Sequence, residues 1–173
     1  MPLLQEKGLL SKLSSKLSKL SSESIRIPNL EEKNGFLKAQ KLAYECVTTV
    51  EKEMLPGWTE KQTAKRMDEF LRDHGVKTFL HRPFAWFGEH ARFDGYKRFT
   101  QFHPGKKRLV EEESFILDVS PVVDGYIGDI GYSSSLIKNS ELDSGMKYLL
   151  QLREEIPKYF SSTMTPSEIW WKI

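Results

Sequence analysis

Apolar residues recur at helical spacing in four stretches of the chain and alternate in one. Leu10, Leu13, Leu17 and Leu20 repeat at threes and fours within a serine-rich segment that also carries Lys12, Lys16 and Lys19. Residues 1–28 therefore read as a basic amphipathic extension, suited to a membrane surface or a partner, or to packing on its own domain. A second stripe runs through Phe36, Ala39, Ala43, Val47, Val50 and Met54. Asn29 followed by Glu32 marks its start, and Pro56-Gly57 its stop. Thr59 and Gln62 open another helix with Ala64, Met67, Phe70 and Leu71 inward, closed by Gly75 at the left-handed cap position. Residues 76–87 read as extended, and residues 88–105 as a loop of polar and ring side chains, either a binding rim or a surface connection. A last long helix starts near Ser140 and carries Leu142, Met146, Leu149, Leu150 and Ile156, with Pro157 expected to break or kink its end.

The alternating stretch is Phe115 to Ser135. Two β-rich runs flank Val123-Asp124-Gly125-Tyr126, and Asp-Gly is the favoured centre of a two-residue type I′ hairpin. That register sets Asp118 opposite Gly131 and Ser120 opposite Asp129. Phe115, Leu117, Val119, Ile130 and Tyr132 then share an apolar face, while Asp118, Ser120, Asp129 and Gly131 share the other. Asp118 and Asp129 become diagonal neighbours, about 7–8 Å apart at the backbone. Two carboxylates that close together are either partly protonated, bridged by a cation, or simply solvated. Carboxylate sites suit hard ions, and added imidazole brings in zinc, iron and related metals.

Composition narrows the setting. At 173 residues and a formal charge of +2, the chain is of single-domain size and makes no demand for a nucleic-acid partner. Cys46 stands alone on the apolar side of a helix, which excludes a disulfide framework and a cysteine-rich zinc site. No run approaches the roughly 18 apolar residues of a membrane span, and no continuous apolar signal segment opens the chain. A cytoplasmic setting is the default expectation.

The two strand runs resemble those of the pita-bread metallopeptidases, the family of methionine aminopeptidase, aminopeptidase P, prolidase and creatinase. Phe115-Ile116-Leu117-Asp118-Val119 and Val123-Asp124-Gly125-Tyr126-Ile127-Gly128-Asp129-Ile130 carry the resemblance, with two aspartates eleven residues apart on adjacent strands. Leu55-Pro56-Gly57-Trp58-Thr59-Glu60 looks like the family's helix junction, and His81 to Gly88 like the strand before its substrate loop. The resemblance covers about residues 30–173. It implies an α+β fold, the first half of a pita-bread domain over residues 29–173, with an antiparallel sheet covered by helices.

The resemblance also implies two divalent ions, Mn, Co, Zn or Fe, with Asp118 on one and Asp129 bridging both. Hydrolysis would remove N-terminal residues from peptides, Xaa-Pro peptides included, with the ions activating water and stabilising developing charge. His103 would contact substrate, although it lies closer to Asp118 than in typical members. His81 and His90 are weaker candidates, and His90 stands where the family usually has asparagine.

The family's remaining ligands, a histidine and two glutamates, have no counterpart here. No histidine follows His103, and Glu141, Glu154, Glu155 and Glu168 fall on predicted helices. Thr165, Pro166 and Glu168 start a helix just before Trp170, Trp171 and Ile173 end the chain. The chain therefore reads as C-terminally truncated and inactive alone, with apolar surface open to self-association. The alternative is a non-catalytic peptide- or protein-binding module of the same fold.

Overall fold

The computed structural model describes residues 28–160 and 164–172. The amphipathic stripe of Leu10 to Leu20 and Ile173 lie outside the described residues. The chain divides into two compact units, Met1–Asn34 and Gly35–Ile173. In the first, the described part is the opening turn of a helix. There Asn29 and Glu32 cap each other, the Glu32 amide donating to Asn29 Oδ1 and the Asn29 amide to Glu32 Oε2.

The second unit is built on that helix, α1 (Leu30–Glu53), and on α2 (Glu60–Asp73). The stripe on α1 buries Ala39, Ala43, Cys46, Val47 and Val50, while Phe36 at its start stays exposed. Thr59 and Gln62 form the expected capping box on α2. Gly75 ends the segment at φ +83°, a conformation that costs glycine little. Burial drives the Cys46 thiol up to about 12, as expected of an enclosed thiol.

The stretch read as extended contains two short strands, β1 (Thr78–Phe79) and β2 (Phe84–Phe87), separated by a turn at His81. The remaining strands are β3 (Ser114–Val119), β4 (Pro121–Val123), β5 (Tyr126–Ile127) and β6 (Ile130–Ser135). One antiparallel sheet has the order β2-β3-β6 and a second the order β1-β4-β5. Asp118 pairs with Gly131 and Val123 with Tyr126, the register that the two-residue turn dictates. Asp124 and Gly125 both have positive φ, 52° and 86°, as a type I′ turn requires.

Phe115, Leu117 and Val119 are fully buried and pack with Val47, Val50, Met67 and Leu71 of the helices. Gly128 tucks against the Ala39 carbonyl of α1, where any side chain would collide with helix backbone. That contact seats the turn beside α1 and fixes where Asp129 emerges. Helix α3 (Ser140–Tyr159), capped by Asn139, continues two residues beyond Pro157, and α4 is Pro166–Lys172. Among the described residues, no helix is long and apolar enough to cross a membrane.

Candidate metal centre

Asp118 stands on the central strand β3, between Phe84 of β2 and Gly131 of β6. Asp129 precedes β6. Alternation puts Leu117 and Val119 into the core and leaves the Asp118 side chain on the opposite, open face. A Cβ added at Gly131 would meet open space, so no side chain crowds Asp118 from that side. Ser120, expected on the same face, is instead fully enclosed where the chain passes from one sheet to the other, and its hydroxyl has no hydrogen-bond partner among the described residues.

The two carboxylates converge, and a third group joins them. One ligand atom from each of His81, Asp118 and Asp129 lies within 4.8 Å of the others. His81 Nε2 is 3.6 Å from Asp118 Oδ1 and 3.4 Å from Asp129 Oδ1. Asp118 is the more sheltered aspartate, its side chain 24% exposed against 58% for Asp129. Burial holds the Asp118 carboxyl above the usual carboxylate range; the His81 ring opposes that shift and the Asp129 charge adds to it. A divalent ion would relieve the same penalty, and one imidazole with two carboxylates is a donor set that such ions accept.

His103 and His90 are placed elsewhere. His103 is exposed, its ring 5.9 Å from Phe84 and 5.5 Å from Phe99, and it is not in the three-residue group. His90 faces the fully buried Glu60, with Nδ1 2.6 Å from Oε1, and its Nε2 is 2.8 Å from the Gln101 carbonyl oxygen. Glu60 also accepts from the Phe87 and Gly105 amides, so one carboxylate ties α2 to β2 and to both ends of the 88–105 connection. That connection is an aromatic cap rather than a plain loop. Trp86 stacks on Phe84, meets Phe93 edge-on, and donates its indole N–H to the Phe102 carbonyl oxygen. Phe93, Tyr96, Phe99 and Phe102 fall at every third position, a period the sequence displays but which suits 3₁₀ turns rather than a longer helix.

Residues 34–173 match the profile of Metallopeptidase family M24. The chain belongs to this family. Its fold is accordingly the pita-bread fold, and the chain carries part of it. The X-Pro aminopeptidase from Thermotoga maritima MSB8 superposes with a TM-score of 0.67 at 14% identity, over 82% of this chain and 38% of that one. The dipeptidase from Pyrococcus horikoshii OT3 gives 0.64 at 21% identity, over 83% and 38%. The prolidase from Pyrococcus furiosus gives 0.54 at 18%, over 62% and 32%. At these identities the likeness is one of fold, and the chain spans at most 38% of these proteins. No curated protein matches it by sequence. The M24 family is one of metallopeptidases, which gives the convergence of His81, Asp118 and Asp129 a chemical context.

Proposed function

We propose that Asp118 and Asp129 are the two-aspartate half of a metal centre that hydrolyses peptides at their N-terminal end, Xaa-Pro peptides included. The observation that carries this reading is the convergence of the two carboxylates on one open sheet face in an M24 chain. When bound, divalent ions would polarise the scissile carbonyl and provide a nucleophile near neutral pH. Asp118, held between β2 and β6, would supply the more sheltered donor. Asp129, more exposed, would supply a second donor within reach of the first. His103, whose ring lies beside Phe84 and Phe99, would hydrogen-bond an incoming peptide. Manganese, cobalt, zinc and iron are the ions in question, and a reducing cytoplasmic setting suits the single buried thiol.

Three donor groups are fewer than two ions require, so turnover needs further carboxylate or imidazole ligands to join them. The test follows manganese, cobalt and zinc binding together with release of N-terminal residues from alanyl-prolyl and methionyl peptides. Asp118→Asn and Asp129→Asn keep the shape and lose the charge. Both variants are expected to lose metal binding and any metal-stimulated hydrolysis. Unchanged metal affinity in both would refute the centre. Metal binding without hydrolysis in every form carrying further ligands would favour the peptide-binding module instead.

A further inference from the structure

We infer that His81 would serve as a further metal ligand beside Asp118 and Asp129, one ligand atom of each lying within 4.8 Å of the others. The inference rests on the metal reading above and adds a ligand to it. The imidazole is oriented before any ion arrives. His81 Nδ1 lies 2.9 Å from the Arg82 carbonyl oxygen, which can only accept, so Nδ1 carries a proton and donates it there. Metal-bound histidines are commonly held in this way, with the second ring nitrogen donating to a carbonyl. Nε2 then points at the two carboxylates.

Nε2 lies 3.6 Å from Asp118 Oδ1 and 3.4 Å from Asp129 Oδ1, so the three donors face one small space that a divalent ion could occupy. An imidazole with two carboxylates is a mixed donor set that zinc and cobalt accept.

The surroundings keep that spacing. The Leu80 amide donates to the Ser120 carbonyl oxygen at 3.0 Å, pinning the residue before His81 to the end of β3. On the other side the His81 ring packs on Phe84 at 5.3 Å, and Phe84 pairs with Asp118 across the sheet. His81 sits in the turn between β1 and β2, so its place beside the aspartates depends on the pairing of both sheets.

The experiment titrates zinc and cobalt(II) into the 173-residue chain and its His81→Ala, His81→Gln, His103→Ala and Asp118→Asn variants. Calorimetry reads affinity, and the visible cobalt spectrum reads geometry. Wild type and His103→Ala are expected to bind cobalt with the same visible spectrum, and His81→Gln to change that spectrum. Both His81 variants should bind at least about 100-fold more weakly, the upper end of what losing a supporting outer partner costs. Wild-type cobalt protein should also show a paramagnetically shifted, exchangeable imidazole N–H in its proton NMR spectrum, a readout that needs no variant to fold. Loss of binding in Asp118→Asn with wild-type affinity in His81→Gln overturns the His81 assignment and leaves the aspartate centre standing. A cobalt spectrum left unchanged by His81→Gln overturns it as well. Absence of any binding by the wild type overturns the metal reading itself.

Discussion

Helices α2 and α3 carry the same local signals and meet different fates. Each is amphipathic and each is capped by a side chain, Thr59 on α2 and Asn139 on α3. Helix α2 buries Thr63, Ala64, Met67, Phe70 and Leu71 beneath the sheets. Helix α3 buries no residue among those described, and Leu149 and Tyr148 are each 60% exposed. Helix formation near a cap costs little sequence information, whereas stability comes from a partner for the apolar face. The contrast shows that the same local signals form a helix whether or not its apolar face is covered among the described residues.

The sharpest way to break the comparison is to remove Glu60 from the packed side. Glu60→Ala would leave His90 and the amides of Phe87 and Gly105 without their shared acceptor. Leaving a buried donor without its acceptor costs about 1–3 kcal/mol. Urea unfolding should show that loss, and hydrogen exchange should quicken at Phe87 and Gly105. A loss under 1 kcal/mol would mean that the aromatic cap holds the connection without Glu60.

Truncating one apolar residue on each helix sharpens the contrast. Leu71→Ala, fully buried on α2, should cost about 2–5 kcal/mol. Leu149→Ala on α3 should stay within about 0.5 kcal/mol, as at other exposed sites. Equal losses in paired urea titrations would show that α3 is covered in solution.

The caps should differ less. Thr59→Ala should lower global stability by about 1 kcal/mol. Asn139→Ala should remove the acceptor of the Glu141 and Leu142 amides, fraying α3 in circular dichroism while leaving the urea midpoint of the core in place. A shared shift in midpoint would make the two helices one cooperative unit.

The smallest effect at neutral pH is that of Cys46, whose thiol is pushed up to about 12 by burial. Its unfolded counterpart ionises near 8.5. The folded pKa is the raised one, so its contribution is complete below about pH 8.5 and is lost as pH rises toward 12. Tyr132, also raised to about 12 by burial and by its hydrogen bond to Glu51, adds to the decline above about pH 10. Stability should therefore fall between pH 8.5 and 10.5, and iodoacetamide at pH 9 should label Cys46 in urea but not in buffer. Rapid labelling of the folded protein would show that α1 opens.

Much of the architecture was legible because it is locally encoded. The caps of α1, α2 and α4, the stripe ending at Met54, and the Asp124-Gly125 turn with its register all follow from neighbours in the chain. The approach of Asp118 and Asp129 agrees with that register, whereas Ser120, assigned to the same face by the same alternation, is enclosed where the chain changes sheets. The extended reading of residues 76–87 missed the turn at His81, since two short strands pairing with different sheets look like one run.

The sequence alone settled what depends on near neighbours: helices, turn, register and the placing of two aspartates. Tertiary structure decided what depends on distant segments meeting. It set Glu60 at the hub of the 88–105 connection, left α3 with no fully buried residue among those described, and brought His81 rather than His103 to the carboxylates. The physical reason is range. Caps and turns are hydrogen-bonded within a few residues, so a local pattern specifies them. The approach of His81 to Asp118 and Asp129 requires β2 to pair with β3, and β1 with β4, which no local periodicity encodes.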